Sequence, residues 1–175
     1  MPGTYEPAQM YDFELNQKKG WPSPYAVDYS AEYADGVTGV RAGMVCSLDL
    51  NGHLVRGLDN DNAMAIFMLQ SMTDFDVLSD RGNVSGGVGS GLVAAGAYEL
   101  QTTEFVAGVY PPNTPLTVDD GGVTPANAGK LVAGTPYIDP IVGVVSSGLS
   151  TSEHNASIQM LAFWPVWLPV AVMPA

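Results

Sequence analysis

The stretch YPPNTPLTVDDGGVTPANAGK, residues 110–130, carries four prolines and three glycines. Each proline fixes φ and removes a backbone donor, so no helix interior can run through it. Leu116-Thr117-Val118 and Val123 have side chains suited to a pleated, half-buried surface, which predicts a ribbon of short strands and turns. The same punctuation extends over the chain, with 20 glycines and 13 prolines in 175 residues. Such a composition favours short strands and tight turns over helices. At 46% hydrophobic residues, the chain has enough apolar mass for a real core.

From Gly39 onward the strand pattern is regular. RAGMVCSLDLNGHLVRG reads as strand, turn, strand, with Asn51-Gly52 as the hairpin signal. AMAIFMLQSM (63–72) is a buried strand or a short helix, and its turn-like flanks favour the strand. Residues 82–91 are glycine-rich and read as a surface loop, and LVAAGAYELQTTEF follows as strands bent at Gly96. PIVGVVSSGL (140–149) is a β-branched strand, and STSEHNAS (150–157) a polar loop. Residues 47–55 and 117–124 share a strand, acid, glycine-turn, strand order, which suggests two similar hairpins.

The closing stretch IQMLAFWPVWLPVAVMPA approaches the length of a membrane span. Pro165, Pro169 and Pro174 would break a spanning helix repeatedly, and no Lys or Arg flanks it. It reads instead as an extended strand with prolines at edges or bulges. Trp164 and Trp167 are expected to be largely buried, on opposite faces, in the core or at a subunit joint.

Residues 1–35 differ from the rest. They hold Tyr5, Tyr11, Tyr25, Tyr29, Tyr33, Phe13 and Trp21 with four prolines, in no helical or alternating period. Such rings need another surface: the chain's own domain, a neighbouring subunit or another protein. The organisation expected is an aromatic N-terminal arm over 1–35 and a β-rich domain over 36–175. The start has neither a basic nor an apolar leader region, so no signal peptide is expected.

Charge excludes one function class. Six Lys and Arg stand against 18 Asp and Glu, a formal net charge of -12. Nucleic-acid affinity rests on cationic contacts, and Lys18-Lys19 is the largest basic cluster. An acidic surface keeps a protein soluble and suits a basic partner. The single cysteine, Cys46, lies in an apolar run and reads as a small core residue.

No catalytic constellation emerges. GGVGSG (86–91) lacks both nucleotide-loop patterns. Asp59 and Asp61 in LDNDNA fail the calcium-loop spacing, because Ala63 and Met64 fall at ligand and glycine positions. Weak cation binding at this pair is left open. His53 and His154 are the only imidazoles, with no serine elbow or zinc motif beside them. The expectation is no enzyme, no cofactor and no metal.

The order of segments resembles the capsid decoration (cement) proteins of tailed bacteriophages. The resemblance lies in GVRAGMVCSLDLNGHLVRGL, NAMAIFMLQ, GLVAAGAYELQTTEF, YPPNTPLTV, PIVGVVSSG and the closing LAFWPVWLPV, over roughly residues 36–170. It implies a mainly β fold, a small antiparallel barrel or sandwich, to which this chain adds the extended N-terminal arm, since residues 1–35 carry no part of the match. It implies a structural virion protein on the capsid exterior, bound to the major capsid protein, often as a homotrimer, with no nucleic acid, membrane or cofactor. Tyr11, Phe13, Trp21 and Tyr25 on the arm, Tyr110, Pro111 and Pro112 on the ribbon, and Trp167 are the expected partner contacts. The alternatives are a head-fibre base or tail component, or a small β-barrel enzyme or ligand-binding protein.

Overall fold

A computed structural model describes residues 15–19, 28–69, 71–72, 88–93, 99–151 and 157–169. The described elements are strands: β1 Leu15–Lys19, β2 Asp28–Glu32, β3 Val45–Leu48, β4 Leu54–Arg56, β5 Ile66–Met68, β6 Val88–Val93, β7 Glu99–Thr102, β8 Pro115–Val118, β9 Leu131–Ala133, β10 Ile141–Thr151 and β11 Gln159–Leu168. A 3-10 turn at Pro125–Asn127 is the one helical feature among the described residues. The strands form two antiparallel sheets, ordered β1-β7-β11-β10-β8-β9 and β2-β6-β5-β3-β4. The fold is mainly β, and among the described residues the two sheets form no closed barrel, which was one expectation, although a parallel bridge from Tyr33 to Leu54 joins the end of β2 to β4.

The sheets face each other across one shared core. Val45, Ala65 and Phe67 of the five-stranded side meet Leu100, Leu116, Leu131, Val145, Leu161 and Phe163 of the other. The Phe67 and Phe163 rings lie 5.1 Å apart, tilted by 44°. A second core covers the opposite face of the five-stranded sheet, where Cys46, Leu54, Ile66 and Met68 pack under Tyr33, Val40 and Met72. Burial on both faces explains why Ala65-Ile66-Phe67-Met68 is an unbroken apolar run and not an alternating one.

One expected feature is present with changed detail, and another is overturned. The β3–β4 hairpin is present, but only Gly52 takes a positive φ, at 79–81° like other turn glycines such as Gly36 and Gly129. Asp49 N donates to His53 O at 2.8 Å and Gly52 N to Asp49 O at 3.0 Å. The result is a three-residue loop with a left-handed glycine, not a two-residue Asn-Gly turn. The glycine-rich segment also differs from expectation, because Val88–Val93 is strand β6, not loop. A Cβ at Gly89 would overlap the Tyr33 ring and meet Met68 Cε at 2.8 Å. That glycine is the seat of the Tyr33 side chain.

The ribbon of residues 110–130 is half right. Leu116 is fully buried and Val118 packs against the core. Val123, expected in a strand, lies 99% exposed, and the return strand is β9. The 117–124 segment therefore is not a second copy of the β3–β4 hairpin. Among the closing prolines, Pro165 lies opposite Gly143, beside a bulge between Ile141 and Gly143. It also lies beyond Phe163, the last residue of β11 in register with β7, so its missing N–H breaks no ladder there.

Parts of the first 35 residues sit on the sheets of the same chain. β1 pairs with β7 and β2 with β6, each at a sheet end. Tyr33, one of the aromatics lacking a self-contained surface, is 5% exposed in the second core.

Candidate functional site

Polar chemistry in the interior gathers along the seam where the two sheets meet. Arg41 Nη2 donates to Glu104 Oε2 at 2.8 Å. Glu104 is buried, and burial raises its carboxyl pKa while the facing Arg41 opposes the rise. Thr102 Oγ1 accepts from Glu104 N and donates to Gly43 O, each at 3.0 Å. Arg56 Nε donates to Ala128 O at 2.6 Å, and its Nη2 to Ala126 O at 2.9 Å and Pro125 O at 3.2 Å. Val45 N reaches Gly129 O at 2.8 Å, which stitches β3 to the β8–β9 connection. This is the arrangement of a structural joint, because each charged fork meets acceptors of its own chain.

The other chemical candidates are also held by local structure. Cys46 is fully buried, and desolvation pushes its thiol up to about 12, well away from thiolate chemistry at neutral pH. Asp49 accepts from Asn51 N at 2.8 Å and His53 N at 2.9 Å, which holds its carboxyl below the usual range. Asp59 and Asp61 are exposed, and Asp59 N donates to Ser47 Oγ at 2.8 Å. Among the described residues no three His, Cys, Asp or Glu side chains come together in a metal-binding group.

The expected contact residues fall into three sets. Tyr11, Phe13, Trp21 and Tyr25 lie outside the described residues. Tyr110 is a core residue: it is buried, donates from Oη to Val106 O at 2.6 Å, and packs edge-on against Phe105 at 5.7 Å. Its burial leaves the ribbon's outward surface to Pro111 and Pro112, both exposed. Trp167 is half-buried, with Nε1 donating to Ala63 O at 3.1 Å across the sheets. Trp164, expected to be buried, is 39% exposed, because it lies on the side of β11 away from the Phe163 core.

Exposed apolar residues include Leu50 and Val123 on other turns and Leu168 in β11, and two further groups stand on the loops before β8 and after β9. Residues 103–114 enter β8 and carry Val109, Pro111 and Pro112. Residues 134–140 leave β9 and carry Tyr137 and Ile138, 84% and 71% exposed. Both loops are tied to the N-terminal end of β8: Val145 N donates to Thr114 O, Asn113 N to Val145 O, and Gly134 N to Pro115 O. β9 and β10 flank β8, so the second loop must cross over it. The crossing is tight, since a Cβ at Gly134 would meet Thr117 Cβ at 2.9 Å and Ile141 Cδ1 at 3.1 Å.

Each loop contains the same turn. Thr114 N donates to Pro111 O, and Ile138 N to Thr135 O. Proline stands second in each, as Pro112 and Pro136, and the third residue takes a left-handed φ: 71° at Asn113 and 70° at Tyr137. That is the pattern of a type II turn. The signal for the second loop was present in TPYIDP, where two prolines bracket an aromatic and an aliphatic residue.

Comparison with family models, curated proteins and solved structures returned no match.

Proposed function

We propose that this chain is a structural binding module that decorates the exterior of a tailed-phage capsid, as a homotrimer on the major capsid protein. The observation that supports it best is the presentation of exposed apolar residues on two short loops, 103–114 and 134–140, each hydrogen-bonded where it meets β8. Preset loops bind at low ordering cost, and strengthening a shell depends on buried area, not on turnover. The charge distribution agrees. Net charge is -12, and Arg41, Arg56 and Lys130 each bond within the chain. The surface left over is acidic and suits a basic shell face.

Co-sedimentation of the full chain with assembled, undecorated shells of its source virus tests the reading. Saturable binding at a multiple of three copies per facet is the expected result. Absence of binding to intact shells would move the function to a tail or head-fibre component.

A further inference from the structure

The turn over residues 135–139 contains a choice that folding alone does not explain. A left-handed φ costs an aromatic residue of ordinary chirality free energy, whereas Gly and Asn adopt it readily. The chain builds this turn twice, and at Asn113 it uses the tolerant residue. At Tyr137 it uses a bulky ring that is 84% exposed and so gains little burial in return. The backbone of the turn is held firmly: Asp139 Oδ2 accepts from Thr135 N at 2.7 Å, and Thr135 O accepts from both Ile138 N and Asp139 N. Pro136 and Pro140 restrict the backbone on either side. Strain of this kind persists where surrounding structure over-determines it, and it gathers at ligand clamps.

We infer that Tyr137 and Ile138 form a preorganised knuckle that inserts into an apolar pocket with a basic rim on a protein partner. A rigid aromatic beside an aliphatic residue has the composition of an interface anchor. The basic rim follows from charge. Between Gly82 and Ala175 there is a single cation, Lys130, whose Nζ faces Asn127 Oδ1 at 3.5 Å. The acids Asp119, Asp120 and Asp139 lie in the same stretch. A second copy of the chain carries the same net charge of -12, so charge favours a different, basic protein as the occupant. The shell is the partner assigned, which rests on the function proposed above.

The test uses the full chain on undecorated shells, with three variants. Tyr137→Asn places at this turn the residue the chain itself uses at Asn113. Ile138→Ser removes the aliphatic half. Val123→Ser removes another fully exposed apolar residue, in the connection between β8 and β9, as a control. Tyr137→Asn should leave the thermal midpoint equal or raise it by about 2–4 °C, while weakening shell binding about tenfold or more. Ile138→Ser should weaken binding in the same direction, and Val123→Ser should not. Raising salt from about 0.05 to 0.5 M should weaken wild-type binding through screening of the rim. A midpoint lowered by Tyr137→Asn would make the ring a folding element and overturn the knuckle. Wild-type binding with both knuckle variants unchanged would overturn it while leaving shell decoration standing. Salt-independent binding would overturn the basic rim. A wild-type chain that does not bind shells would overturn the decoration reading and this partner together.

Discussion

Gly89 and Arg56 show how single residues fix the packing between layers. A methyl group at Gly89 has nowhere to go, because Tyr33 and Met68 occupy the space. Gly89→Ala is expected to cost about 1–3 kcal/mol, read as a lower denaturant midpoint at unchanged slope. The 82–91 segment read as a loop because glycine usually marks turns, and nothing local shows that a ring 56 positions earlier will lie on one of them. Arg56 holds three carbonyls of the 125–128 turn with a planar fork. Lysine keeps the charge and loses the fork, so Arg56→Lys should destabilise by about 1–2 kcal/mol, measured by urea unfolding. Tyr137 is the opposite case, where the local rule is broken at the surface and not in the core.

At the scale of elements, β11 separates its two tryptophans by role. Trp167 bridges the sheets through its indole N–H to Ala63 O, whereas Trp164 is partly open to water. Trp167→Phe leaves a carbonyl without that donor and should cost about 1–2 kcal/mol in denaturant unfolding. Trp164→Phe should change stability by about 0.5 kcal/mol or less and remove the redder part of the tryptophan emission. An equal cost for both would contradict these assignments. The strands themselves were legible in sequence, because β-branched runs and glycine-proline boundaries report local preference: β3, β4, β5, β8 and β10 fall where the pattern puts them. Partnership was not legible. The pairing of β10 with β11 shifts register twice, with an extra residue on β11 between Pro165 and Leu168 and extra residues on β10 between Val145 and Gly148, and neither shift leaves a mark in the sequence pattern. The exposed loops were partly legible: the sequence singled out Pro111 and Pro112, which are exposed, whereas Tyr110 is buried because it packs on Phe105 and bonds to Val106.

Over the whole molecule, stability should carry two opposed pH dependences. Glu104 has a folded pKa raised by burial above its ordinary value of about 4.5. Its contribution is therefore fully present below about that pH and declines as pH rises through the folded value. Asp49 has a folded pKa lowered by the His53 amide, so its contribution is present above the ordinary carboxylate range and is lost on acidification. Glu104→Gln should flatten the first limb: the stability of wild type relative to this variant should fall as pH rises from about 4.5 toward neutrality. Parallel urea titrations between pH 4 and 8 provide the check, and a difference that grows with pH would reverse the assignment.

The position of β11 has a consequence for how the molecule comes into being. It follows every other described strand in sequence, yet it lies inside its sheet, between β7 and β10. The larger sheet cannot grow strand by strand as the polypeptide leaves the ribosome. Until the segment through Leu168 arrives, β7 and β10 have a gap between them and Phe67 has no Phe163 to meet. Closure is then a late, long-range event, of the kind that slows folding and leaves nascent chains in need of protection. A chain shortened before β11 would lose the middle of a sheet and not merely its margin.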